Sequence, residues 1–135
     1  MSAVDVAKIW SLNYRLLLSV ISSVETDMTA LGLDSKELFL LGEVDEYPYP
    51  AELAATLCMP KATVTVYLKR LEAAGFVRRE IDPADLRRHR LLLTPTGRQA
   101  TTDGLALLSD AFNKRLERLT AAQQKHLKNL LEKIL

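Results

Sequence analysis

Apolar residues recur every three or four positions along most of this 135-residue chain, the spacing that lines one side of a helix. Over residues 4–31 they are Val6, Ile9, Trp10, Leu17, Val20, Ile21 and Val24, with no Gly or Pro before Gly32. One long helix ended by that glycine is the expectation. Asp34, with Glu37 three residues on, is a capping pair for a second helix to about residue 44, turning Leu38, Leu41 and Val44 inward. The proline-broken DEYPYP loop, residues 45–50, leads into the stretch that organises the rest. Residues 50–94 read as a short helix, a tight turn, a longer helix over 61–74 and a hairpin. Strands are expected over 76–81 and 89–93, joined by DPADLRR with Asp82-Pro83 as turn chemistry. Thr94-Pro95 then starts a helix to about residue 119, with Leu105, Leu108, Phe112, Leu116 and Leu119 on one stripe. Thr120 with Gln123 caps a last helix bearing Leu127, Leu130, Leu131 and Ile134. The fold class is mainly α with a small β-hairpin.

Wound at about 100° per residue, the 61–74 helix places Val64, Leu68 and Leu71 in one narrow arc, facing a core. Ala62, Thr65, Val66, Lys69 and Ala73 fall on the opposite arc, where little negative charge appears. Small, hydroxyl and methyl groups with one cation suit a DNA major groove. Thr bonds base edges, a Val methyl meets a thymine methyl, and Lys reaches guanine or phosphate. The hairpin carries Arg87, Arg88, His89 and Arg90, three arginines in four positions, suited to phosphate or to a narrow minor groove. Asp85, two residues before Arg87, is placed to pair with that guanidinium.

These residues resemble the winged helix-turn-helix of the MarR family of bacterial transcriptional regulators. Asp82-Pro83-Ala84-Asp85-Leu86-Arg87 followed by Leu91-Leu92-Leu93-Thr94-Pro95-Thr96-Gly97 is similar to its D-x-R…L-x-L-T-x-x-G wing signature. Glu52-Leu53-Ala54 is similar to the opening of its first motif helix. Thr63-Val64-Thr65 and Arg70-Leu71-Glu72-Ala73-Ala74-Gly75-Phe76-Val77 are similar to its recognition helix and exit. The likeness extends over nearly the whole chain. It departs at Val66, where the family often has an arginine or another polar base-reading residue, and at Cys58, where a glycine is common. The resemblance implies a single domain, with residues 1–31 and 98–135 as dimerisation helices and 34–97 as the winged lobe. It implies a homodimeric, sequence-specific repressor on palindromic double-stranded DNA. Thr63, Thr65, Val66 and Lys69 are then the major-groove residues, Lys61 and Arg70 hold phosphates, and Arg87 enters the minor groove braced by Asp85. Arg88 and Arg90 add charge. The resemblance further implies a small, often aromatic effector, for which Trp10, Tyr14, Phe39, Tyr47, Tyr49 and Phe112 are candidate lining residues and Arg15 a candidate carboxylate partner.

Charge adds to this picture once it is divided. The net charge is +1, yet residues 61–98 hold nine Lys/Arg against four acids, while the remainder holds nine against thirteen. Positive potential is therefore concentrated on the proposed DNA face. A hydrophobic share of 48% excludes a disordered chain. No apolar run approaches the roughly 20 residues of a membrane span, and residues 1–14 lack the pattern of a signal peptide, so a cytoplasmic location is expected. One cysteine leaves no internal disulfide, and Cys58 is expected in a buried turn between Leu57 and Met59. Two histidines, His89 and His126, with no C-x-x-C, H-E-x-x-H, Walker loop or G-x-S-x-G, give no expected metal site, cofactor or catalytic residue. An enzyme is not expected.

The terminal helices carry more apolar surface than a winged lobe covers, which two-fold pairing with a second copy would bury. That pairing would offer two recognition helices to successive major-groove turns, about 34 Å apart on B-DNA. The alternative is a winged-helix protein–protein module whose basic wing docks an acidic partner and binds no duplex.

Overall fold

The computed structural model describes residues 3–135; Met1 and Ser2, at the head of the stretch read above for a signal peptide, lie outside the described residues. In chain order the elements are α1 (Val6–Ser23), α2 (Glu25–Ala30), α3 (Ser35–Glu43), α4 (Pro50–Thr56), α5 (Lys61–Ala73), β1 (Val77–Asp82), β2 (Asp85–Leu93), α6 (Pro95–Leu116) and α7 (Ala121–Ile134). They divide between two compact units, one spanning Glu25–Ala106, the other combining Met1–Val24 with Leu107–Leu135. No helix of the described residues is long and apolar enough to cross a membrane.

The Glu25–Ala106 unit is built round Met28, Leu33, Leu38, Leu40, Leu41, Val44, Leu53, Val64, Leu68, Leu71, Val77 and Leu91, all buried. Burying each such side chain contributes about 1.5–3 kcal/mol, so the inward arc of α5 is firmly specified. Both expected capping boxes form. Glu37 N–H donates to Asp34 at 2.7 Å and Asp34 N–H to Glu37 at 3.2 Å; Thr120 and Gln123 exchange the same pair at 3.2 and 2.9 Å.

Three helix ends in this unit share one device. After α2, Leu33 N–H reaches back to Met28 O and Gly32 N–H to Thr29 O; after α5, Phe76 and Gly75 do the same to Leu71 and Glu72. The residue at the bend needs a positive φ, met by Gly32 (+80°) and Gly75 (+79°). After α4 the pattern is repeated by Met59 to Ala54 and Cys58 to Ala55, but the bend residue is Cys58, at φ 53°. This is why a glycine suits that position, and it corrects the expectation of a buried thiol: Cys58 is exposed.

Two other expectations are corrected. The N-terminal helix is not continuous over 4–31; it breaks at Val24 (φ −107°, ψ 2°), which is buried. Ser19 and Ser23 hydroxyls donate back to Leu16 O and Val20 O, which loosens the end of α1 without any Gly or Pro. The hairpin is longer and its turn tighter than expected. Asp82 accepts the Ala84 N–H at 2.9 Å, so only Pro83 and Ala84 lie between the strands, and Arg87 and Arg88 stand on β2 rather than in the connecting loop. The strands pair antiparallel, Val77 with Leu93 through Ile81 with His89, and a bulge lies between Ile81 and Asp82.

The end of β2 returns to the core through the last part of the wing signature. Thr94 caps α6 by accepting the Gly97 N–H at 2.9 Å, and its hydroxyl donates to Gly75 O. Gly97 is buried against Phe76, where an added Cβ would lie 1.8 Å from the Phe76 carbonyl oxygen.

The second unit looks different. Its segments bury Val20 and Val24, whereas Val6, Ile9, Trp10, Leu12, Leu17, Leu18, Leu130, Leu131 and Ile134 are exposed. Between α6 and α7 runs an apolar groove of about 600 Å³ lined by Phe112, Leu116, Leu127 and Leu131.

Two glycine exchanges should move stability in opposite directions. Gly97→Ala forces backbone apart and should cost about 3 kcal/mol. Cys58→Gly relieves a left-handed residue worth about 1–2 kcal/mol at an entropic cost of about 0.5–1 kcal/mol, a net gain below about 1 kcal/mol. Urea unfolding of both variants checks the pair; a tolerated Gly97→Ala would contradict the close approach.

Candidate nucleic-acid interface

Because Val64, Leu68 and Leu71 are buried, α5 must present its other side. Lys61, Ala62, Thr65, Val66, Lys69 and Ala73 are exposed, and Val66 alone leaves 60% of its surface open. An aliphatic side chain so exposed, beside two lysines, is suited to methyl contact in a groove. Thr63 is half-buried. The Thr65 hydroxyl donates to Lys61 O at 2.9 Å, leaving its oxygen free to accept.

Arg70 sits differently from its expected place on a phosphate. Its guanidinium lies 3.2 Å from Glu37 and 3.8 Å from Asp34, tying the end of α5 to the capping box that starts α3. Glu37 is buried, and that burial raises its carboxyl above the usual range, against the lowering pull of the Asp34 N–H and of Arg70.

On the wing, Arg90 stands opposite Glu80 and His89 opposite Ile81 in the ladder, whereas Leu86, Arg87 and Arg88 fall in the bulge before Asp85 pairs with Asp82. The expected Asp85–Arg87 guanidinium pair does not form; Asp85 instead accepts the Arg87 backbone N–H at 3.0 Å, setting the start of β2. The Arg87 side chain is exposed and, among the described residues, joins no ion pair. Arg88 and Arg90 have partners within the protein. Arg88 lies 3.6 Å over the Tyr49 ring and 3.6 Å from Glu52, and Arg90 lies 3.5 Å from Glu80.

Tyr49, one of the aromatics assigned above to an effector, has a different place. Its hydroxyl donates to Asp82 at the hairpin turn, and the preceding residue, Pro48, accepts the Leu91 N–H at 2.7 Å. The Tyr49 hydroxyl and then the Ala84 N–H hold the Asp82 carboxyl below the usual range, while the same bond raises the Tyr49 phenol. The donor–acceptor pair is thus in its bonding state across neutral pH. Local spacing gave no sign of it, since Tyr49 and Asp82 lie 33 residues apart.

The other effector candidates divide between the units. Trp10 and Tyr14 stack on α1 with ring centroids 6.0 Å apart, both exposed. Arg15 lines a cavity of about 270 Å³ with Leu12, Leu16, Ser19 and Arg115, and Phe112 lines the separate apolar groove. Phe39 and Tyr47 are half-buried in the Glu25–Ala106 unit.

Residues 38–89 match the MarR family description. Over its whole length the chain is 31% identical to the HTH-type transcriptional repressor Rv2887 of Mycobacterium tuberculosis, across 99% of this chain and 98% of the relative. The chain belongs to the MarR family. Solved structures of relatives agree with the fold. The Rv2887 complex with DNA matches at 30% identity and TM-score 0.75, covering 92% of this chain and 94% of that one. The Rv2887 complex with salicylic acid matches at 31% and 0.75, covering 92% and 93%. Wild-type MarR from E. coli in its apo form superposes at TM-score 0.78 over 99% of each chain, at 22% identity.

The Glu37 site of this MarR-family chain makes a signed prediction. Since the ionised form is disfavoured by burial, Glu37→Gln, which keeps the cap acceptor, should melt at an equal or higher temperature at pH 7. Its advantage should shrink as pH falls through the folded-state pKa and the wild-type carboxyl protonates. Glu37→Ala should lose about 1–2 kcal/mol. A glutamine variant as unstable as the alanine variant would contradict this.

Proposed function

We propose that this MarR-family chain is a DNA-binding transcriptional repressor, acting as a homodimer on a palindromic duplex site and released by a small, aromatic effector. The observation that carries the reading is the exposed face of α5, presented because the opposite face is buried, in the same compact unit as a wing with an exposed Arg87. Lys61, Thr65, Val66 and Lys69 are the groove residues, with Thr63 at the margin; Arg87 is the wing contact. Rv2887, a relative named as a repressor, has been solved with DNA and with salicylic acid, which supports both halves of the reading. The reading is non-enzymatic, in keeping with relatives that are transcriptional regulators.

Dimerisation is supported by the apolar side chains that α1 and α7 leave exposed. A second copy would cover them, and two-fold symmetry would set two α5 helices on one face of the duplex, about 34 Å apart. Light scattering at micromolar concentration should give twice the chain mass; the chain mass itself would remove the dimer.

Arg87→Ala should weaken binding to a selected duplex by about 1–3 kcal/mol and lower the salt slope by about one. Anisotropy titrations over a salt series measure both quantities. Unchanged affinity at matched salt would refute the wing contact, and binding without salt dependence would favour an acidic protein partner instead.

A further inference from the structure

The turn end of the wing holds a cluster for which the repressor reading has no use: Tyr49 and Glu52 at the start of α4, Asp82 at the turn, and Arg88 on β2. Its contacts are specific. The Tyr49 hydroxyl donates to Asp82 Oδ2, whose other oxygen already accepts the Ala84 N–H at 2.9 Å. The Arg88 guanidinium stacks 3.6 Å from the centre of the same ring and lies 3.6 Å from Glu52. One residue earlier, Pro48 O accepts the Leu91 N–H at 2.7 Å, extending the hairpin by a backbone bond. Asp82 is 5% exposed, so the joint is closed at the hydroxyl–carboxylate bond, while the Arg88 and Glu52 side chains remain about half open to solvent.

We infer that Tyr49 is the positioning residue of the wing: its hydroxyl fixes the hairpin turn through Asp82, and its ring with Glu52 holds Arg88 against α4, leaving Arg87 as the cation that meets the duplex. A two-stranded hairpin has little rigidity of its own, and a wing that swings cannot hold one arginine in register with a groove. The joint couples the wing to the element that precedes the recognition helix. It also removes a charge from the contact. A guanidinium stacked on an aromatic ring and facing a carboxylate is satisfied before DNA arrives, so Arg88 releases no counterion from phosphate when the duplex binds.

The inference rests on the DNA-binding reading, and the test separates the two. Backbone amide exchange is measured first, without DNA, on wild type and Tyr49→Phe. Ala84 and Leu91 should exchange roughly tenfold faster in the variant, the scale of one hydrogen bond to a charged acceptor, while Leu38 and Leu68 are unchanged. Equal acceleration throughout the core, or none at the wing, would overturn the positioning role. Duplex affinity and its salt dependence are then read by anisotropy. Tyr49→Phe should weaken binding severalfold with the slope unchanged, because the ring still holds Arg88. Tyr49→Leu should weaken it further and steepen the slope by up to about one as Arg88 is freed. Arg88→Ala should leave the slope as in wild type, unlike Arg87→Ala; a slope lowered equally by both would show Arg88 leaving Tyr49 for phosphate and would overturn the inference. If wild type binds no duplex, the repressor reading fails, and the exchange measurement still decides the joint.

Discussion

The burial of Val64, Leu68 and Leu71 is the constraint from which the rest follows. With these three side chains enclosed by the core that also holds Leu38, Leu41 and Leu53, α5 has no rotational freedom about its axis. Turning it by even one residue would put Thr65 or Lys69 into that core, unpaired, at a cost larger than any surface contact returns. The outward face is therefore decided by the inward one. Arg70 adds a second fixing point where α5 ends, against the buried Glu37 that caps α3. The recognition surface is thus set by packing in the absence of DNA, the preorganisation that keeps the ordering cost of binding low.

The wing depends on the same unit in another way. A hairpin with one turn residue tied to Tyr49 and one strand bonded to Pro48 takes its orientation from α4, the helix preceding α5. Thr94 and Gly97 then return the chain to the Phe76 backbone at the other end of the hairpin. Both ends of the wing are held, and Arg87 stands exposed in the bulge beside the turn. The wing signature is thus largely a set of structural devices: an Asx turn, a capping threonine and a close-approach glycine, with the Arg87 side chain left in no ion pair among the described residues.

Features encoded over short spans could be read directly from the chain. The 3.6-residue period of α5 marked its buried triad, and Asp34/Glu37 and Thr120/Gln123 marked two helix starts, because the interacting groups lie within one turn of each other. The break at Val24 carried no such mark: it coincides with serine hydroxyls bonding backward and a valine that is buried, in a stretch whose apolar spacing continues smoothly. Residues 82–88 read as a loop from the Asp82-Pro83 turn signal, yet the Asp82 side chain tightens the turn, so that Asp85 pairs across it and Leu86 and Arg87 stand in a bulge of β2. Asp82 and Tyr49, or Arg70 and Glu37, meet only after the chain folds back over some thirty residues. That is why Lys61, Lys69 and Arg87 join no ion pair among the described residues, whereas Arg70 and Arg88 pair with acids distant in the chain.

The most direct measurement is amide chemical-shift mapping of the folded protein on titration with a duplex selected from random sequences. Shifts at Lys61, Thr65, Val66 and Lys69 together with Arg87, saturating at one stoichiometry, are the predicted result. Shifts confined to either the helix or the wing, or spread over neither, would contradict simultaneous contact and with it the assignment of this surface to DNA.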